Sequence, residues 1–280
     1  MSYNLKELLL FFSIFLILSC EKHQDIYFKD FAVVSAKIEA SKAGYEILKM
    51  GGNAFDAMIA TDLALAVVYP NAGNLGGGGF MVYRSADGDY GSLDYREKAP
   101  LASTKDMYLD EDNNVVKGLS SEGALSIGVP GTVAGLFETY QRFGSLPLDS
   151  LFKPAMKLAK YGFPLTKKQA KSFNQNKRKI LSNSNNIDLF KKDFIEGMVF
   201  NNPALYSTLK FILENGKDGF YGGKISDEII EFTASKGGIL SKQDFLSYKP
   251  IWRSPFVFNF NNLKIITMGL PSSGGIVLAQ

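Results

Sequence analysis

Arg96 is the one side chain that the sequence marks as a candidate for binding a substrate. It stands in Asp94-Tyr95-Arg96-Glu97, at the end of an apolar segment that has the pattern of a β-strand. An arginine entering an apolar neighbourhood needs an anionic partner, and its planar guanidinium fits a carboxylate through two parallel hydrogen bonds. That partner could be Asp94 or Glu97 of the chain itself, or the carboxylate of a bound ligand.

The residue types that are scarce also limit the chemistry. The only histidine is His23, in the polar stretch just after Cys20. The folded body therefore has no Ser-His-Asp or Cys-His arrangement and no histidine-rich metal site. Chemistry is left to hydroxyls, carboxylates, Lys, Arg, Tyr or an α-amine. Among hydroxyl nucleophiles, an N-terminal threonine whose own amine is the base needs no histidine.

Four consecutive glycines, Gly76 to Gly79, suggest at first a phosphate-binding loop. Such loops lie between a strand and the helix that follows it, whereas the order here is helix, glycines, strand. There is no Gly-Lys-Ser/Thr and no GxGxxG spacing. The block instead predicts a close approach of the backbone to another segment or a small ligand.

A second turn, Pro271-Ser272-Ser273-Gly274-Gly275, follows a predicted strand and begins a helix. This is the order of an anion-binding turn, but the simpler interpretation is that Ser272 or Ser273 caps the helix. No GxSxG motif occurs, so a hydrolase serine is not supported.

The elements that must position Arg96 can be outlined from periodicity. We expect a short strand at 32–35, then a helix capped by Ser35 that runs to Met50 and ends at Gly51-Gly52. Asn53, with Asp56 in the first turn, begins a helix over 54–68 that is apolar on nearly every side and so is buried. Two strand pairs are expected, one at 80–84 and 92–96 joined at Asp87-Gly88, and one over 256–268 with its turn at Asn261-Asn262. Helices are expected at 129–142, 151–161 and 225–235, and a tight turn at 218–223.

The N-terminus has the pattern of an export signal. Lys6 precedes an apolar run at 8–18, which is long enough for a signal segment and too short to span a bilayer. Leu18-Ser19-Cys20 then resembles the cleavage box of bacterial lipoproteins, so Cys20 is the predicted lipidation site; the alternative is an ordinary cleaved signal. The predicted organisation is a signal peptide at 1–19, a tether at 20–31 and one domain at 32–280.

Composition excludes several other classes. Cys20 is the only cysteine, so no disulfide framework is expected. The net charge of +3 is too small to indicate a nucleic-acid partner. A lysine-rich stretch at 167–192 could be read as an anion-binding patch, but it has no interleaved aromatic residues and is better explained as a solvated helix and loop. The apolar residues 275–280 begin a helix that does not complete a second turn, so we expect that the chain is cut short.

Together these segments resemble the large chain of gamma-glutamyltransferases (gamma-glutamyltranspeptidases, glutathione hydrolases), from about residue 32 to Gln280. The resemblance is carried by Gly51-Gly52-Asn53-Ala54, Leu75 to Phe80, Asp94-Tyr95-Arg96-Glu97-Lys98-Ala99-Pro100, Ser126 to Gly135, Asp218-Gly219-Phe220-Tyr221, Gly238 to Asp244 and Pro271 to Gly275. Three departures are visible, and the first is that the family's small chain, with its threonine and most other substrate contacts, is absent. Lys37-Ile38 stands where the family often has a histidine-proline pair, and Gly269-Leu270 stands where further prolines are usual.

The resemblance implies an α+β fold of the N-terminal nucleophile hydrolase type, a four-layer αββα sandwich that is incomplete in this chain. It implies a precursor that cuts itself into a large and a small chain, the latter beginning with the nucleophilic threonine. That threonine would attack the gamma-glutamyl amide of glutathione or another donor, with no metal or cofactor, while Arg96 holds the donor's α-carboxylate.

The predicted protein is thus a lipid-anchored envelope enzyme, periplasmic or at the cell surface, whose large chain lacks the catalytic threonine and is inactive alone. Its predicted partners are the gamma-glutamyl donor, the small chain and the membrane, and not nucleic acid. The competing hypothesis is a non-catalytic envelope lipoprotein that binds a carboxylate ligand or only provides a scaffold.

Overall fold

The computed structural model describes residues 30–184 and 188–280, and the chain divides into two units, Met1–Ala32 and Val33–Gln280. Cys20, His23 and the predicted signal peptide lie outside the described residues. The architecture below is that of the second unit.

The first helix, α1, spans Ile38–Lys49, and Met50 is its C-cap residue. Gly51 follows with a φ of +89°, the left-handed conformation expected after a helix. The prediction that Ser35 caps this helix was wrong. Lys37 is the N-cap residue, and the Ser35 hydroxyl donates to the Lys37 carbonyl at 2.8 Å. Ser35 lies two residues too early to reach the free N–H groups of the first turn. The strand predicted at 32–35 is also wrong, because no strand among the described residues pairs with it.

Helix α2, Ala54–Val68, is the centre of the core and confirms the predicted buried helix. Asn53 caps it by accepting from the N–H groups of Phe55 and Asp56, at 2.8 and 3.0 Å, and the Asp56 carboxylate accepts from the Asn53 N–H at 3.0 Å. Asp56 is fully buried, and it also accepts from the Ser145 N–H at 3.1 Å. The cap therefore joins the start of α2 to the loop after the next long helix.

Helix α2 packs against α1 and against the next two helices, α3 (Thr132–Phe143) and α4 (Leu148–Tyr161). Helices α3 and α4 begin at Thr132 and Leu148, where the sequence predicted 129 and 151. The turn predicted at 218–223 is wrong in part, because Asp218 to Tyr221 form the last turn of α7, which is kinked at Gly216. The full set is α3 Thr132–Phe143, α4 Leu148–Tyr161, α5 Lys167–Asn183, α6 Asp188–Lys191, α7 Pro203–Tyr221, α8 Lys224–Ala234, α9 Lys242–Ser247 and α10 Gly274–Ala279, with a 3-10 turn at Ala124–Ser126.

One three-stranded antiparallel sheet leads to Arg96. Strands β1 (Phe80–Arg84) and β2 (Tyr90–Asp94) form the predicted hairpin, with Gly88 at φ +96° in its turn. The predicted end of β2 at Arg96 was wrong, because pairing with β1 stops at Phe80 opposite Asp94. A third strand near the C-terminus, Ile251–Arg253, pairs with the other edge of β2, with Asp94 opposite Ile251.

The remaining strands form two two-stranded sheets. Phe163–Pro164 (β3) pairs with Val199–Phe200 (β4), so Ile251–Arg253 is β5. The strand pair predicted at 256–268 is confirmed as β6 (Phe256–Phe260) and β7 (Leu263–Thr267), with Asn261 at φ +53° in the turn. The chain is thus mixed helix and sheet, and its largest sheet among the described residues has three strands.

The lysine-rich stretch is the solvated helix that the sequence favoured. Its first part is α5, and three of its lysines face carboxylates, Lys177 with Asp193 at 2.9 Å, Lys179 with Glu122 at 3.2 Å and Lys191 with Asp188. Over the ranges 30–184 and 188–280, no helix is both long and apolar enough to cross a membrane.

The cap of α2 gives a first prediction. Asn53→Ala should lower the free energy of unfolding by about 2 kcal/mol, the upper end for an N-cap, because the Asn53 amide also donates to the Phe143 carbonyl at 2.7 Å. Urea unfolding measures the change. Asn176→Ala, which truncates an exposed asparagine on α5, is the matched control and should cost under about 0.5 kcal/mol. Equal effects of the two substitutions would contradict the importance of the cap.

Candidate functional site

Arg96 lies on a groove of about 330 Å³ at the end of β2. The walls come from the segment after β2, from β5 and from the turn before α10, so the sheet brings together residues more than 150 positions apart in sequence. The lining residues are Asp94, Arg96, Glu97, Lys98, Ile251, Arg253 and Pro271.

The Arg96 side chain is exposed, and its guanidinium carbon lies 5.8 Å from the centroid of the Phe80 ring. Within the described part of the chain, no carboxylate lies at ion-pair distance from this guanidinium. Of the partners that the sequence left open for Arg96, neither Asp94 nor Glu97 forms an ion pair with it. A planar cation with unused N–H donors therefore faces the groove.

Asp94 does not pair with the Arg96 side chain because both of its carboxylate oxygens are engaged elsewhere. Oδ1 accepts from the Arg96 backbone N–H at 3.0 Å, and Oδ2 accepts from Arg253 Nε at 2.8 Å. The Asp94 side chain is 9% exposed and that of Arg253 is 34% exposed, so the carboxylate is shielded from water while the guanidinium is partly in contact with it. Sequence analysis missed Arg253, since nothing near it in the sequence signals that β5 lies beside β2.

Tyr248, which follows α9, holds the other side of the Arg96 peptide. Its hydroxyl donates to the Arg96 carbonyl at 2.7 Å, and its ring is stacked on that of Tyr221 with centroids 5.7 Å apart. Burial, and then the negative charges of Asp94 and Glu97, raise the pKa of Tyr248 above its ordinary value. The hydroxyl therefore stays protonated and remains a donor. Sequence analysis missed Tyr248 as well.

The glycine block lies directly against the backbone of the Arg96 segment, which confirms the predicted close approach. A Cβ added at Gly78 would lie 2.7 Å from Glu97 N and 2.8 Å from the Arg96 carbonyl carbon, so only glycine leaves room for this contact. The Gly77 carbonyl accepts from the N–H groups of Gly131 and Thr132, at 2.7 and 3.0 Å, at the start of α3. The block thus joins β1, the Arg96 segment and α3.

The turn before α10 contributes Pro271 to the groove. Ser273 is the N-cap residue, one of the two positions predicted, but it makes no side-chain cap hydrogen bond. The Gly274 N–H donates to the Ser272 hydroxyl at 3.4 Å, a long contact. Ser273 therefore occupies the predicted N-cap position, but its side chain does not cap the helix.

Near Tyr95, the residue before Arg96, lies a carboxylate that the sequence did not single out. Asp62 on α2 is largely buried, and burial raises its pKa to about 6. Burial and the nearby Asp62 charge also raise the pKa of Tyr95, the residue just before Arg96. Asp62 thus places a titrating group next to the segment that carries the site.

No metal site is apparent in the part of the chain that the structure describes, where no group of three or more His, Cys, Asp or Glu side chains could hold an ion. The prediction of metal-free chemistry remains a prediction. A larger cavity of about 730 Å³ lies away from Arg96, between α5, α8 and the segment around Ala124. None of the residues that the sequence marked as functional lines it.

Residues 40–280 match the sequence model of the gamma-glutamyltranspeptidase family. The chain belongs to the gamma-glutamyltranspeptidase family. It is 42% identical over 249 residues to the glutathione hydrolase proenzyme of Pseudomonas aeruginosa, a match that covers 89% of this chain and 44% of that protein. The chain therefore spans less than half the length of the curated relatives it matches.

Solved members of the gamma-glutamyltranspeptidase family share the fold. The crystal structure of the Helicobacter pylori gamma-glutamyltranspeptidase superposes with a TM-score of 0.87 at 42% identity, covering 91% of this chain and 74% of that one. The Pseudomonas nitroreducens enzyme complexed with L-DON gives 0.85 at 42% identity, covering 90% and 75%. The predicted family and the α+β fold of the N-terminal nucleophile hydrolase type are confirmed.

The raised pKa of Asp62 predicts a specific pH dependence. Between its ordinary value of 3.8 and about 6, the folded protein holds a proton that the unfolded chain has released, so the free energy of unfolding falls as pH rises through this window. Asp62→Asn removes this loss. At pH 7.5 the variant should be more stable than the wild type by about 1 kcal/mol, less than the full shift implies because water reaches part of the carboxylate.

Urea unfolding at several pH values measures this difference. The advantage of Asp62→Asn should shrink toward pH 4. Asp112→Asn, a substitution at an exposed aspartate in a loop, is the control and should change neither stability nor its pH dependence appreciably. An advantage of Asp62→Asn that is the same at every pH would refute the titration of Asp62 as its cause.

Proposed function

We propose that this chain is the large-chain part of an enzyme that cleaves or transfers gamma-glutamyl groups, and that Arg96 binds the α-carboxylate of the gamma-glutamyl donor. The observation that carries the proposal is the unpaired guanidinium of Arg96 on the groove, beside an Asp94 whose oxygens are already engaged. A carboxylate ligand would receive two parallel charge-assisted hydrogen bonds there. The Pseudomonas aeruginosa relative is named glutathione hydrolase proenzyme, which makes glutathione the leading candidate donor.

The proposed chemistry uses a threonine at the start of a second chain of the same precursor. Its hydroxyl adds to the gamma-carbonyl carbon of the donor, while its α-amine takes the hydroxyl proton and passes it to the departing amine. This gives a gamma-glutamyl ester of the threonine. Water or an acceptor amine then attacks the ester, releases the gamma-glutamyl group and returns the proton to the threonine. The curated relatives are named proenzymes, which supports a precursor that is processed.

The non-catalytic scaffold hypothesis has no comparable support. The relatives named above are enzymes by name, and the groove keeps the free arginine that substrate binding needs. On the proposed scheme, the large chain binds the donor and contributes no nucleophile, so it does not turn over substrate without its partner chain.

Replacing Arg96 tests the binding role in the processed enzyme. Arg96→Ala should raise KM for gamma-glutamyl-p-nitroanilide by about tenfold to a hundredfold, because a charged hydrogen-bonded contact is lost. Arg96→Lys keeps the charge but not the paired donors, so KM should rise by about tenfold. Steady-state kinetics measures both. Arg178→Lys, at an exposed arginine on α5, is the matched control and should leave KM unchanged. Unchanged KM in both Arg96 variants would remove Arg96 from the site.

The localisation of the protein in the cell is a further part of the proposal. The protein is held in the cell envelope by a lipid on Cys20, after removal of residues 1–19. Intact-mass and N-terminal analysis of the protein from its own cells should find a lipidated large chain together with a chain that begins with threonine. Cys20→Ser should move the protein from the membrane fraction to the soluble fraction. A membrane-bound Cys20→Ser variant would rule out the lipid on Cys20, and a lone unprocessed chain would rule out the threonine scheme.

A further inference from the structure

We propose that Asp94 and Tyr248 are positioning residues, which fix the backbone of Arg96 from both sides so that its guanidinium is presented to the donor carboxylate in one geometry. This inference rests on the proposed function, because it gives Asp94 and Tyr248 a role in the same site. In this proposal both residues act through their hydrogen bonds to Arg96 and not through contacts of their own with the donor.

The two contacts hold the two polar groups of one residue. Asp94 Oδ1 accepts from the Arg96 N–H at 3.0 Å, and the Tyr248 hydroxyl donates to the Arg96 carbonyl at 2.7 Å. Asp94 comes from the end of β2 and Tyr248 from the segment after α9, so the clamp is made by two parts of the fold that are far apart in sequence. With its N–H and its carbonyl both engaged, Arg96 keeps freedom only in its side chain.

Each half of the clamp is itself fixed. Arg253 Nε binds the second oxygen of Asp94 at 2.8 Å, which holds the carboxylate in one orientation. The Tyr248 ring is stacked nearly parallel on Tyr221, at an interplanar angle of 8°, and the Tyr221 hydroxyl donates to the Pro130 carbonyl at 2.9 Å. Gly78 lies directly against the backbone of Arg96 and closes the third side.

This arrangement gives an exposed arginine a low cost of ordering on binding. A long side chain on a mobile loop loses backbone and rotamer freedom when it binds a ligand, whereas here the backbone is ordered beforehand. Because Asp94 is engaged by Arg253 and by the Arg96 N–H, it also does not compete with the donor for the guanidinium. Loss of the clamp should therefore weaken donor binding and leave the chemical step unchanged.

The first test is Tyr248→Phe in the processed enzyme, which keeps the ring stack and removes only the hydroxyl. KM for gamma-glutamyl-p-nitroanilide should rise about fivefold, the factor for one neutral hydrogen bond, with kcat unchanged. The matched control is Tyr140→Phe, because the Tyr140 hydroxyl also donates to a backbone carbonyl, that of Leu146 at 3.0 Å, away from the groove. That variant should leave both constants unchanged.

A double-mutant cycle separates positioning from a general structural effect. In an Arg96→Ala background, adding Tyr248→Phe should not change KM further, since no guanidinium is left to position. The donor analogue with an α-carboxamide should likewise be insensitive to Tyr248→Phe. A fivefold rise that persists in the Arg96→Ala background, or with the carboxamide donor, would overturn the clamp.

Asp94 is tested by graded substitution. Asp94→Asn keeps an oxygen that accepts from the Arg96 N–H, so it should raise KM less than Asp94→Ala does, again at constant kcat. Equal KM values for the two variants, or a fall in kcat alone, would exclude the positioning role of Asp94.

The outcomes for the two proposals are distinct. If Arg96→Ala raises KM while Tyr248→Phe does not, the positioning inference fails and the proposed function stands. If the processed protein does not turn over gamma-glutamyl donors, or Arg96→Ala leaves KM unchanged, the proposed function fails, and the clamp is overturned with it as a substrate-binding device.

Discussion

The Asp94 carboxylate, buried at the end of β2, accepts hydrogen bonds from two different donors, one at each oxygen. Arg253 arrives on β5 with a charge that must be paired, and the Arg96 N–H lies beyond the last residue that pairs with β1. Because Asp94 satisfies both, the charge of Arg253 is neutralised and that of Arg96 is not. A buried carboxylate shared in this way is strongly held, since removing either neighbour would leave polar groups unpaired. The groove can bind an anion because the two oxygens of Asp94 bind Arg253 and the Arg96 N–H, which leaves the Arg96 guanidinium unpaired.

The glycines explain why this carboxylate can sit so close to the core. Gly78 lies against the backbone of Tyr95 to Glu97, and Gly135 on α3 lies against the Tyr95 ring, so the Arg96 segment passes between two elements with no side chains in the way. Helix α2 packs against Tyr95 and its neighbours in the sheet through Phe55 and Met58, and its start is fixed by the cap of Asn53 and Asp56. The site is therefore supported by β2, β5 and α3, although Arg96 itself and its neighbours Gly78 and Tyr248 lie in loops.

Local patterns in the sequence predicted the parts of this arrangement that depend on local physics. The all-apolar helix capped by Asn53, the hairpins at Asp87-Gly88 and Asn261-Asn262, and the close approach of the glycine block follow from periodicity, capping and permitted φ values. Arg253 and Tyr248 could not be found in that way, because their roles come from pairing of β5 with β2 and from stacking on Tyr221. The errors at Ser35, at the end of β2 and at Asp218 are errors in the exact ends of elements, which differ from the predicted ends by a few residues. Arg96 was found because its charge conflicts with its apolar surroundings, and only the structure showed that Asp94 was not its partner.

The apolar surface near the groove bears on the proposed second chain. Helix α10 packs on the β6–β7 pair through Gly275, where an added Cβ would meet Thr267 and Phe256. Its outer residues remain exposed, with Val277 at 67% and Leu278 at 68%, and Leu270 in the preceding turn is 66% exposed. Exposed apolar side chains that lie together in this way are typical of a surface that binds another protein surface. On the proposed scheme, the threonine-initiated chain is a candidate for that surface, since packing there would bury these side chains beside Pro271, which lines the groove with Arg96.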